Sequence, residues 1–156
     1  DCVYDQLVSR GELLSTTIVQ QYLVDNGLAS NWVDARQLIR TDDTYREGKV
    51  DWDVTPQQFK SVITPLLSKG FVVTQGFIGS NEAGKTVTLG REGSDYTAAI
   101  AAYCLDAEDM TVWKDVPGIL TADPRLFKNV TKLDRLSFRE AIEMTYYGAK
   151  VIHPKT

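Results

Sequence analysis

The sequence TVTLGREGSDYTAAIAAYCL, residues 86–105, decides the fold. Its first residues alternate between polar and apolar, which predicts one arm of a β-hairpin with 81–84 as the hairpin loop. A glycine-rich turn follows, and Ser94 or Asp95 then caps an apolar helix that is predicted over 96–105. The alanines of that helix favour close packing against a sheet.

Helix and strand patterns also alternate along the rest of the chain. The predicted elements are a first helix ending at Gly27, a strand within 31–40, a helix from an N-cap at Thr55 to Gly70, strands at 71–75 and 110–113, and a last helix from a Ser137 cap to about Gly148. Strands that alternate with helices imply an α/β domain. We expect a three-layer αβα sandwich with a mostly parallel sheet and helices on both faces.

Composition and charge are those of one ordinary globular domain. The 156 residues are 43% hydrophobic and 24% charged, and the formal net charge is −4. No apolar run approaches the ~18–20 residues that a membrane span needs. Lysine and arginine are scattered along the chain, which argues against nucleic acid as the main partner.

The few cysteine and histidine residues argue against several kinds of site. Cys2 and Cys104 form no C-x-x-C pair, so a zinc site is not expected. A single histidine, His153, argues against a Ser-His-Asp or Cys-His catalytic apparatus. Two cysteines without a signal-peptide pattern favour the reducing cytoplasm. Because Asp1 lies at the edge of a predicted helix and the chain stops two residues after the His153-Pro154 pair, we expect the chain to be a fragment.

The turn at 89–95 is the strongest local indication of a ligand site. Free N–H groups and the positive end of the helix dipole favour an anion at such a corner. Arg91 adds a planar, permanently charged guanidinium that suits a carboxylate or a phosphate. The same residues are compatible with an ordinary strand–turn–helix connection, in which Asp95 caps the helix and Arg91 faces solvent.

Three further clusters carry charged residues that suit a ligand. The loop 113–125 follows a predicted strand, where open α/β sheets bind ligands, and its Asp115 and Arg125 suit a nucleotide. A purely structural loop is the alternative. Lys150, just beyond the last helix, suits a phosphate, although a lysine there also compensates the helix dipole. Glu12, in the first helix, suits a ligand ammonium group or is simply solvated.

Taken in this order, the clusters resemble the aspartate kinases of the amino-acid kinase superfamily. The resemblance covers essentially the whole chain, and its matching segments are Gly11-Glu12-Leu13-Leu14-Ser15, Thr74-Gln75-Gly76-Phe77-Ile78-Gly79, Leu89 to Ala99, Trp113 to Arg125 and Gly148 to Pro154. It implies an enzyme that transfers a phosphoryl group from ATP to the side-chain carboxylate of L-aspartate, in the biosynthesis of lysine, threonine and methionine.

The resemblance also implies roles for individual residues. Arg91 is expected to bind the α-carboxylate of aspartate, and Glu12 and Asp95 its ammonium group, while the Phe77 backbone lines the same pocket. Ser94 is expected to face the reacting carboxylate, so that Ser94 and Asp95 are the catalytic candidates. The nucleotide-binding candidates are Lys114, Asp115, Leu120, Arg125 and Lys150, with Mg²⁺ bound to the nucleotide.

Three residues depart from the usual family pattern. Glu92 stands where glycine is usual, and we expect its carboxylate to point outward. Lys114 stands where a small polar residue is common, and Leu120 replaces a tyrosine that is often found near the adenine.

The implied phosphoryl transfer to aspartate needs no general base, because a carboxylate with an ordinary pKa of ~3.9 is already ionised at neutral pH.

The resemblance assigns residues 1–156 to a partial catalytic domain, incomplete at its N-terminus. The Lys-Phe-Gly-Gly-Thr-Ser loop, which brings a catalytic lysine to the phosphates in this family, does not occur in the sequence, and neither do the regulatory ACT domains. We expect the fragment alone to have little or no kinase activity, and the parent protein to be a homo-oligomer. Two alternatives stay open: a kinase of the same superfamily that acts on glutamate, acetylglutamate, carbamate or UMP, and a non-catalytic regulatory domain that binds a ligand.

Overall fold

A computed structural model of the chain describes residues 1–116, 118–147 and 156, which divide into two compact units, Asp1–Met110 and Thr111–Thr156. The elements of the first unit are, in chain order, α1 (Cys2–Asp25), β1 (Ser30–Trp32), a 3-10 helix (Ala35–Gln37), α2 (Thr55–Val62), α3 (Thr64–Leu67), β2 (Phe71–Val73), β3 (Ile78–Ser80), β4 (Thr86–Thr88) and α4 (Gly93–Leu105). The second unit contains α5 (Phe138–Tyr146). Within the described part of the chain, no helix combines the length and the apolar character that crossing a membrane requires.

The strands form two pairs of opposite kind. β1 runs parallel to β2, and β3 runs antiparallel to β4, with Gly79 opposite Val87. The hairpin predicted around 81–84 is therefore confirmed. A parallel pair among alternating helices and strands agrees with the predicted α/β class, since parallel strands need a crossover connection between them.

The core of the first unit is built from α2, α4 and the residues beside the strands. Phe59 of α2 and Ile100 of α4 are each 1% exposed, and Leu38 is completely buried. Leu89, directly after β4, belongs to the same apolar cluster. Burying a large apolar side chain is worth about 1.5–3 kcal/mol, so this cluster fixes β4 relative to α4. The turn that joins them, 90–92, is thereby held at both ends.

Helix α1 packs against the unit with its polar face. Asp5 and Ser9 are buried, at 0% and 1% exposure. The apolar residues whose spacing predicts the helix are exposed instead, namely Val3, Leu7, Leu14, Ile18 and Tyr22. An apolar stripe ordinarily marks the buried face of a helix. The helix is thus predicted correctly, and its orientation is the reverse of the usual one.

Of two strand predictions, one is confirmed and one is wrong. The strand expected within 31–40 is present as β1, which ends at Trp32 because the side chain of Asp34 accepts a hydrogen bond from the Arg36 N–H and starts a 3-10 helix. The run 110–113 forms no strand. A short apolar run has no strand character of its own without a neighbouring strand to pair with.

The helix ends agree better with their sequence signals. Gly27 adopts a φ of +80° just after α1, as a helix stop requires. Ser137 caps α5, as predicted, and the structure shows that it does so in a capping box with Glu140. Thr55, expected as an N-cap, is instead the first residue of α2, and Val54 precedes it as the cap.

Candidate functional site

The turn between β2 and β3 rests on the first turn of α4. Gly76 has no room for a side chain, since an added Cβ would lie 2.7 Å from the Ser94 Cβ and 3.0 Å from the Ser94 Cα. Gly93 is equally constrained, because a Cβ there would lie 2.8 Å from the Phe77 Cβ. Two glycines, one on each side of the contact, permit the approach that brings Phe77 and Ser94 together.

The backbone of Phe77 is held in an uncommon conformation. Its φ is +51°, in the left-handed region that non-glycine residues rarely adopt. Its N–H donates to Thr97 Oγ1 at 2.9 Å, and the Thr97 hydroxyl donates to the Gly93 carbonyl at 2.9 Å. Its carbonyl accepts from the Leu89 N–H at 2.9 Å. Contacts from α4 and from the end of β4 therefore maintain the strained turn.

Glu12 reaches this turn from α1. Its Oε1 accepts a hydrogen bond from the Gly76 N–H at 3.2 Å, and the residue is half-buried. A carboxylate has two oxygens and about four acceptor positions, so this bond leaves capacity for a ligand donor. The predicted ligand residues Glu12, Phe77 and Ser94 are thus brought to one place, where α1, the 74–77 turn and α4 meet.

The start of α4 differs from the sequence prediction. Its N-cap residue is Glu92, at a left-handed φ of +57°, so Ser94 and Asp95 lie within the first turn and neither is the cap. The Glu92 side chain is exposed and makes no capping hydrogen bond. Ser94 is exposed as well, while Asp95 is 8% exposed. N–H groups at a helix start that lack a capping side chain favour an anion.

Arg91 lies exposed on the turn that precedes α4. Gly90 enters the turn at a φ of +95°, and Glu92 leaves it in the left-handed region. A Cβ at Gly90 would lie 3.3 Å from the Arg46 carbonyl oxygen, so the turn also fits closely against the 44–48 loop. The position of Arg91 therefore depends on backbone geometry on both sides of it.

A partly buried hydrogen-bond network connected to the site was not predicted from the sequence. Gln75 is 1% exposed, its Oε1 accepts from the Ala35 N–H at 2.8 Å, and its Nε2 donates to Thr16 Oγ1 at 2.9 Å. Trp32 Nε1 donates to the same Thr16 oxygen at 3.0 Å. The Thr16 hydroxyl donates in turn to the Glu12 carbonyl at 2.9 Å. The network connects α1, β1 and the turn that carries Phe77.

Asp5 is a second buried group that sequence reasoning missed. One carboxylate oxygen accepts from the Thr88 N–H at 2.8 Å and from the Arg46 N–H at 2.9 Å. The other accepts from the Thr88 hydroxyl at 3.2 Å. Asp5 thereby ties α1 to the end of β4, three residues before Arg91. The available signal was the row of polar residues on α1 at helical spacing, which is Asp5, Ser9, Glu12 and Thr16.

The nucleotide-binding candidates lie in the second unit, except for Lys150, which lies outside the described residues. Lys114 and Asp115 are exposed. Leu120 is half-buried and forms an isolated antiparallel bridge with Lys132.

Arg125 is paired with Asp123. Its Nε and Nη2 lie 3.1 Å and 2.8 Å from the two carboxylate oxygens, and its backbone N–H donates to Asp123 Oδ1 at 2.9 Å. This hydrogen bonding raises the pKa of Arg125 above its ordinary value. The Arg125 side chain is 82% exposed, so a phosphate can compete with Asp123 for the guanidinium.

A cleft of about 700 Å³ lies in the first unit and is lined by Arg40, Thr41, Asp42, Asp43, Lys49, Val50, Asp51, Val54 and Glu82. Asp42 accepts hydrogen bonds from the backbone N–H groups of Thr44 and Lys49, each at 3.0 Å. Slight burial acts to raise the pKa of Asp42, but these hydrogen bonds outweigh it and the pKa is lowered. The carboxylate is therefore used to shape its own loop.

Among residues 1–116, 118–147 and 156, no three His, Cys, Asp or Glu side chains converge as a metal site.

Three comparisons relate the chain to known proteins. The amino acid kinase family model matches residues 2–156. Lysine-sensitive aspartokinase 3 of Escherichia coli strain K12 is 44% identical over 152 residues, which are 97% of this chain and 34% of the relative. The crystal structure of E. coli aspartokinase III with aspartate and ADP superposes with a TM-score of 0.95 at 43% identity, over 99% of this chain and 35% of that one. Clostridium acetobutylicum aspartate kinase gives a TM-score of 0.76 at 32% identity, over 96% of this chain and 31% of that one.

The chain spans about a third of the length of these relatives. The superposition at 43% identity confirms the α/β class that the sequence predicts. The family model extends over nearly every residue, including the second unit. This chain belongs to the amino acid kinase family.

Proposed function

We propose that this chain provides the aspartate pocket and part of the ATP site of an aspartate kinase. The reaction joins a side-chain carboxylate oxygen of L-aspartate to the γ-phosphorus of ATP, breaks the bond from that phosphorus to the bridging oxygen, and releases ADP and 4-phospho-L-aspartate. The observation that carries the proposal is the convergence of Glu12, Phe77 and Ser94, which rests on the close approach of Gly76 to Ser94 and of Gly93 to Phe77. The similarity of this chain to an aspartokinase whose crystal structure contains aspartate and ADP supports the same proposal.

The aspartate pocket requires two kinds of recognition, because the substrate carries an ammonium group and two carboxylates. We assign the α-carboxylate to Arg91, whose fork of N–H donors matches two carboxylate oxygens. We assign the ammonium group to Glu12 and Asp95. The turn at Phe77 forms the wall of the pocket, and Ser94 in the uncapped first turn of α4 faces the carboxylate that reacts.

Catalysis by such a site consists of positioning and of neutralising charge. The acceptor carboxylate is already ionised at neutral pH, so no base has to remove a proton. Phosphoryl transfer then depends on holding the reactants in line and on stabilising charge on the γ-phosphoryl oxygens. Ser94 and Asp95 are the residues of this chain that we place nearest the reacting atoms.

For the nucleotide we assign Lys114, Asp115, Leu120, Arg125 and Lys150. Mg²⁺ is expected to arrive with ATP, since this ion usually keeps several waters and is held by substrate phosphates with one or two carboxylates. Asp115 is exposed and suits that role. Arg125 would exchange its partner Asp123 for a phosphate, or share its donors between the two.

The same proposal makes this chain one part of a larger protein. Residues 1–156 are a partial catalytic domain of a three-layer αβα sandwich, in a cytoplasmic homo-oligomeric parent protein. On its own this piece should have little or no activity, because the loop carrying the catalytic lysine is not part of the sequence. A coupled assay of ADP release by residues 1–156 beside the full-length protein tests this; turnover near that of the full-length protein would refute it.

An acceptor screen on the full-length protein tests the proposed function itself. ATP is supplied with aspartate, glutamate, acetylglutamate, carbamate or UMP, and ADP release is measured for each. We expect aspartate to give at least about tenfold higher kcat/KM than any other acceptor, because a site built for both charged groups rejects analogues that leave one unpaired. Preference for another acceptor would assign the protein to a different group of kinases within the family. Binding without any turnover would indicate a regulatory domain.

A further inference from the structure

We propose that Gln75 and Thr16 act as a positioning pair that sets the affinity for the amino-acid substrate, by fixing where the Glu12 carboxylate lies relative to the Phe77 turn. The inference rests on the proposed function, in which Glu12 binds the substrate ammonium group. Neither Gln75 nor Thr16 is placed in contact with substrate. Their effect passes through Glu12 and Gly76.

Hydrogen-bond chemistry determines the orientation of every group in the network. The Ala35 N–H can only donate, so the Gln75 atom that faces it at 2.8 Å is the amide oxygen. The amide nitrogen then faces Thr16 Oγ1 at 2.9 Å and must donate to it. The Trp32 indole N–H donates to the same oxygen. With both acceptor positions of Thr16 filled, its hydroxyl hydrogen is left for the backbone carbonyls of α1, that of Glu12 at 2.9 Å and that of Leu13 at 3.2 Å.

These bonds close a ring that includes the substrate-binding residue. The backbone leads from Gln75 to Gly76, whose N–H donates to Glu12 Oε1 at 3.2 Å. The Glu12 carbonyl accepts from the Thr16 hydroxyl at 2.9 Å, one helical turn later on α1. Thr16 Oγ1 accepts from the Gln75 amide nitrogen, and this bond closes the ring. The backbone of Glu12 is therefore held by Thr16, and its carboxylate is held by Gly76. Gln75 connects the two, since it is bonded to Thr16 and precedes Gly76 in the chain.

The burial of Gln75 makes the ring specific. Gln75 is 1% exposed, so water cannot replace a lost partner. A glutamine side chain has three rotatable bonds, and an apolar residue would fill the same space with less flexibility and no need for partners. The Gln75 amide joins Ala35 and Thr16, which lie 40 and 59 positions away in the sequence. Such a link suits the fixing of α1 relative to the Phe77 turn better than it suits simple packing.

The experiment measures steady-state kinetics of the full-length protein with Thr16→Val, which removes the hydroxyl and keeps the shape. We expect the KM for aspartate to rise about tenfold, the KM for ATP to change less than about twofold, and kcat to change less than the KM for aspartate. Thr16→Ser restores the hydroxyl and should bring the KM for aspartate back to within about threefold of the wild-type value.

Thr17→Val is the matched control. Thr17 is the next residue on α1, it is exposed, and its hydroxyl makes the same kind of bond to a carbonyl one turn earlier, Leu13, at 2.8 Å. This variant loses a backbone-directed hydroxyl without touching Gln75. Its KM for aspartate should stay within about twofold of the wild-type value.

Gln75→Asn is the second test, since its amide is one methylene too short to span Ala35 and Thr16. It should raise the KM for aspartate as Thr16→Val does, and it carries the test if Thr16→Val does not fold. The positioning role is overturned if the folded variants match Thr17→Val, or if the KM values for aspartate and ATP rise equally. A wild-type protein that does not turn over aspartate at all would instead reject the proposed function.

Discussion

The carboxylate of Asp5 and the backbone of Thr88 are joined by a hydrogen bond of 2.8 Å, across 83 residues of sequence. Asp5 has no exposed surface. The same oxygen accepts from the Arg46 N–H, so one buried side chain holds the end of β4 and the 44–48 loop against α1. The turn that carries Arg91 begins directly after this point.

Replacing Asp5 by alanine should destabilise the protein by about 2–4 kcal/mol, because the buried Thr88 N–H and the Arg46 N–H both lose their acceptor. Urea unfolding of the wild type and the variant measures the difference. Asp25→Ala, at an exposed position on the same helix, is the control and should stay within about 0.5 kcal/mol of the wild type. A loss for Asp5→Ala as small as that of the control would show that the buried bonds contribute little.

Gly76→Ala should disrupt the contact between the Phe77 turn and α4. The added Cβ would lie 2.7 Å from the Ser94 Cβ, so the turn must move, and overpacking of this kind costs about 1–3 kcal/mol. We expect the KM for aspartate to rise at least about tenfold, since the shift moves the pocket wall.

Gly11→Ala is the matched control for that change, because nothing lies within 4 Å of a Cβ at Gly11. Gly11 sits in the middle of α1, where alanine should stabilise the helix by about 0.5–1 kcal/mol. Thermal unfolding should therefore show opposite signs for the two glycine replacements. Destabilisation by both would mean that the face of α1 around Gly11 is covered in the full-length protein.

Arg91→Ala should raise the KM for aspartate far more than the KM for ATP, by about 100-fold against about twofold, because a lost bidentate charge pair costs about 3 kcal/mol. Arg125→Ala should do the reverse, since we assign Arg125 to the phosphates. Steady-state kinetics with each substrate varied in turn gives both ratios. Equal effects of Arg91→Ala on the two KM values would show that Arg91 is misassigned.

The capping box of α5 should make that helix sensitive to acid. Hydrogen bonds from the side chain and the backbone N–H of Ser137 lower the pKa of Glu140 below its ordinary value of 4.5. A lowered pKa in the folded state gives stability that is present above pH 4.5 and is lost as the pH falls through the folded-state pKa. The stability difference between wild type and Ser137→Ala should therefore shrink below about pH 4.5. In Glu140→Gln, which cannot ionise, this part of the pH dependence should disappear; its persistence would assign it to another group.

Sequence patterns predicted the local elements well. The hairpin around 81–84, the apolar helix α4 and the Ser137 cap each depend on neighbouring residues, and each is confirmed. The prediction at 110–113 is wrong because strand formation depends on a partner strand, which a local pattern does not reveal. The cap of α4 is Glu92, since the turn requires a left-handed residue there and the usual preference for Ser or Asp is overridden.

The buried and half-buried polar groups could not be predicted in the same way. Asp5, Thr16 and Gln75 find their partners 83, 59 and 40 residues away, and each residue type is usually exposed. On α1 the apolar stripe indicates the wrong face, because the polar face carries these groups inward. The motif residues Glu12 and Phe77 are identified only through resemblance to a family, and their roles, like those of Arg91, Asp95 and Lys150, stay predictions.

The central claim is tested most directly by trapping the product of the full-length protein with hydroxylamine, which converts an acyl phosphate into a hydroxamate. With ATP, Mg²⁺ and L-aspartate, we predict aspartyl hydroxamate in an amount equal to the ADP released, and none when aspartate is left out. ADP release that does not depend on aspartate, or hydroxamate formed from a different carboxylic acid and not from aspartate, would contradict the account.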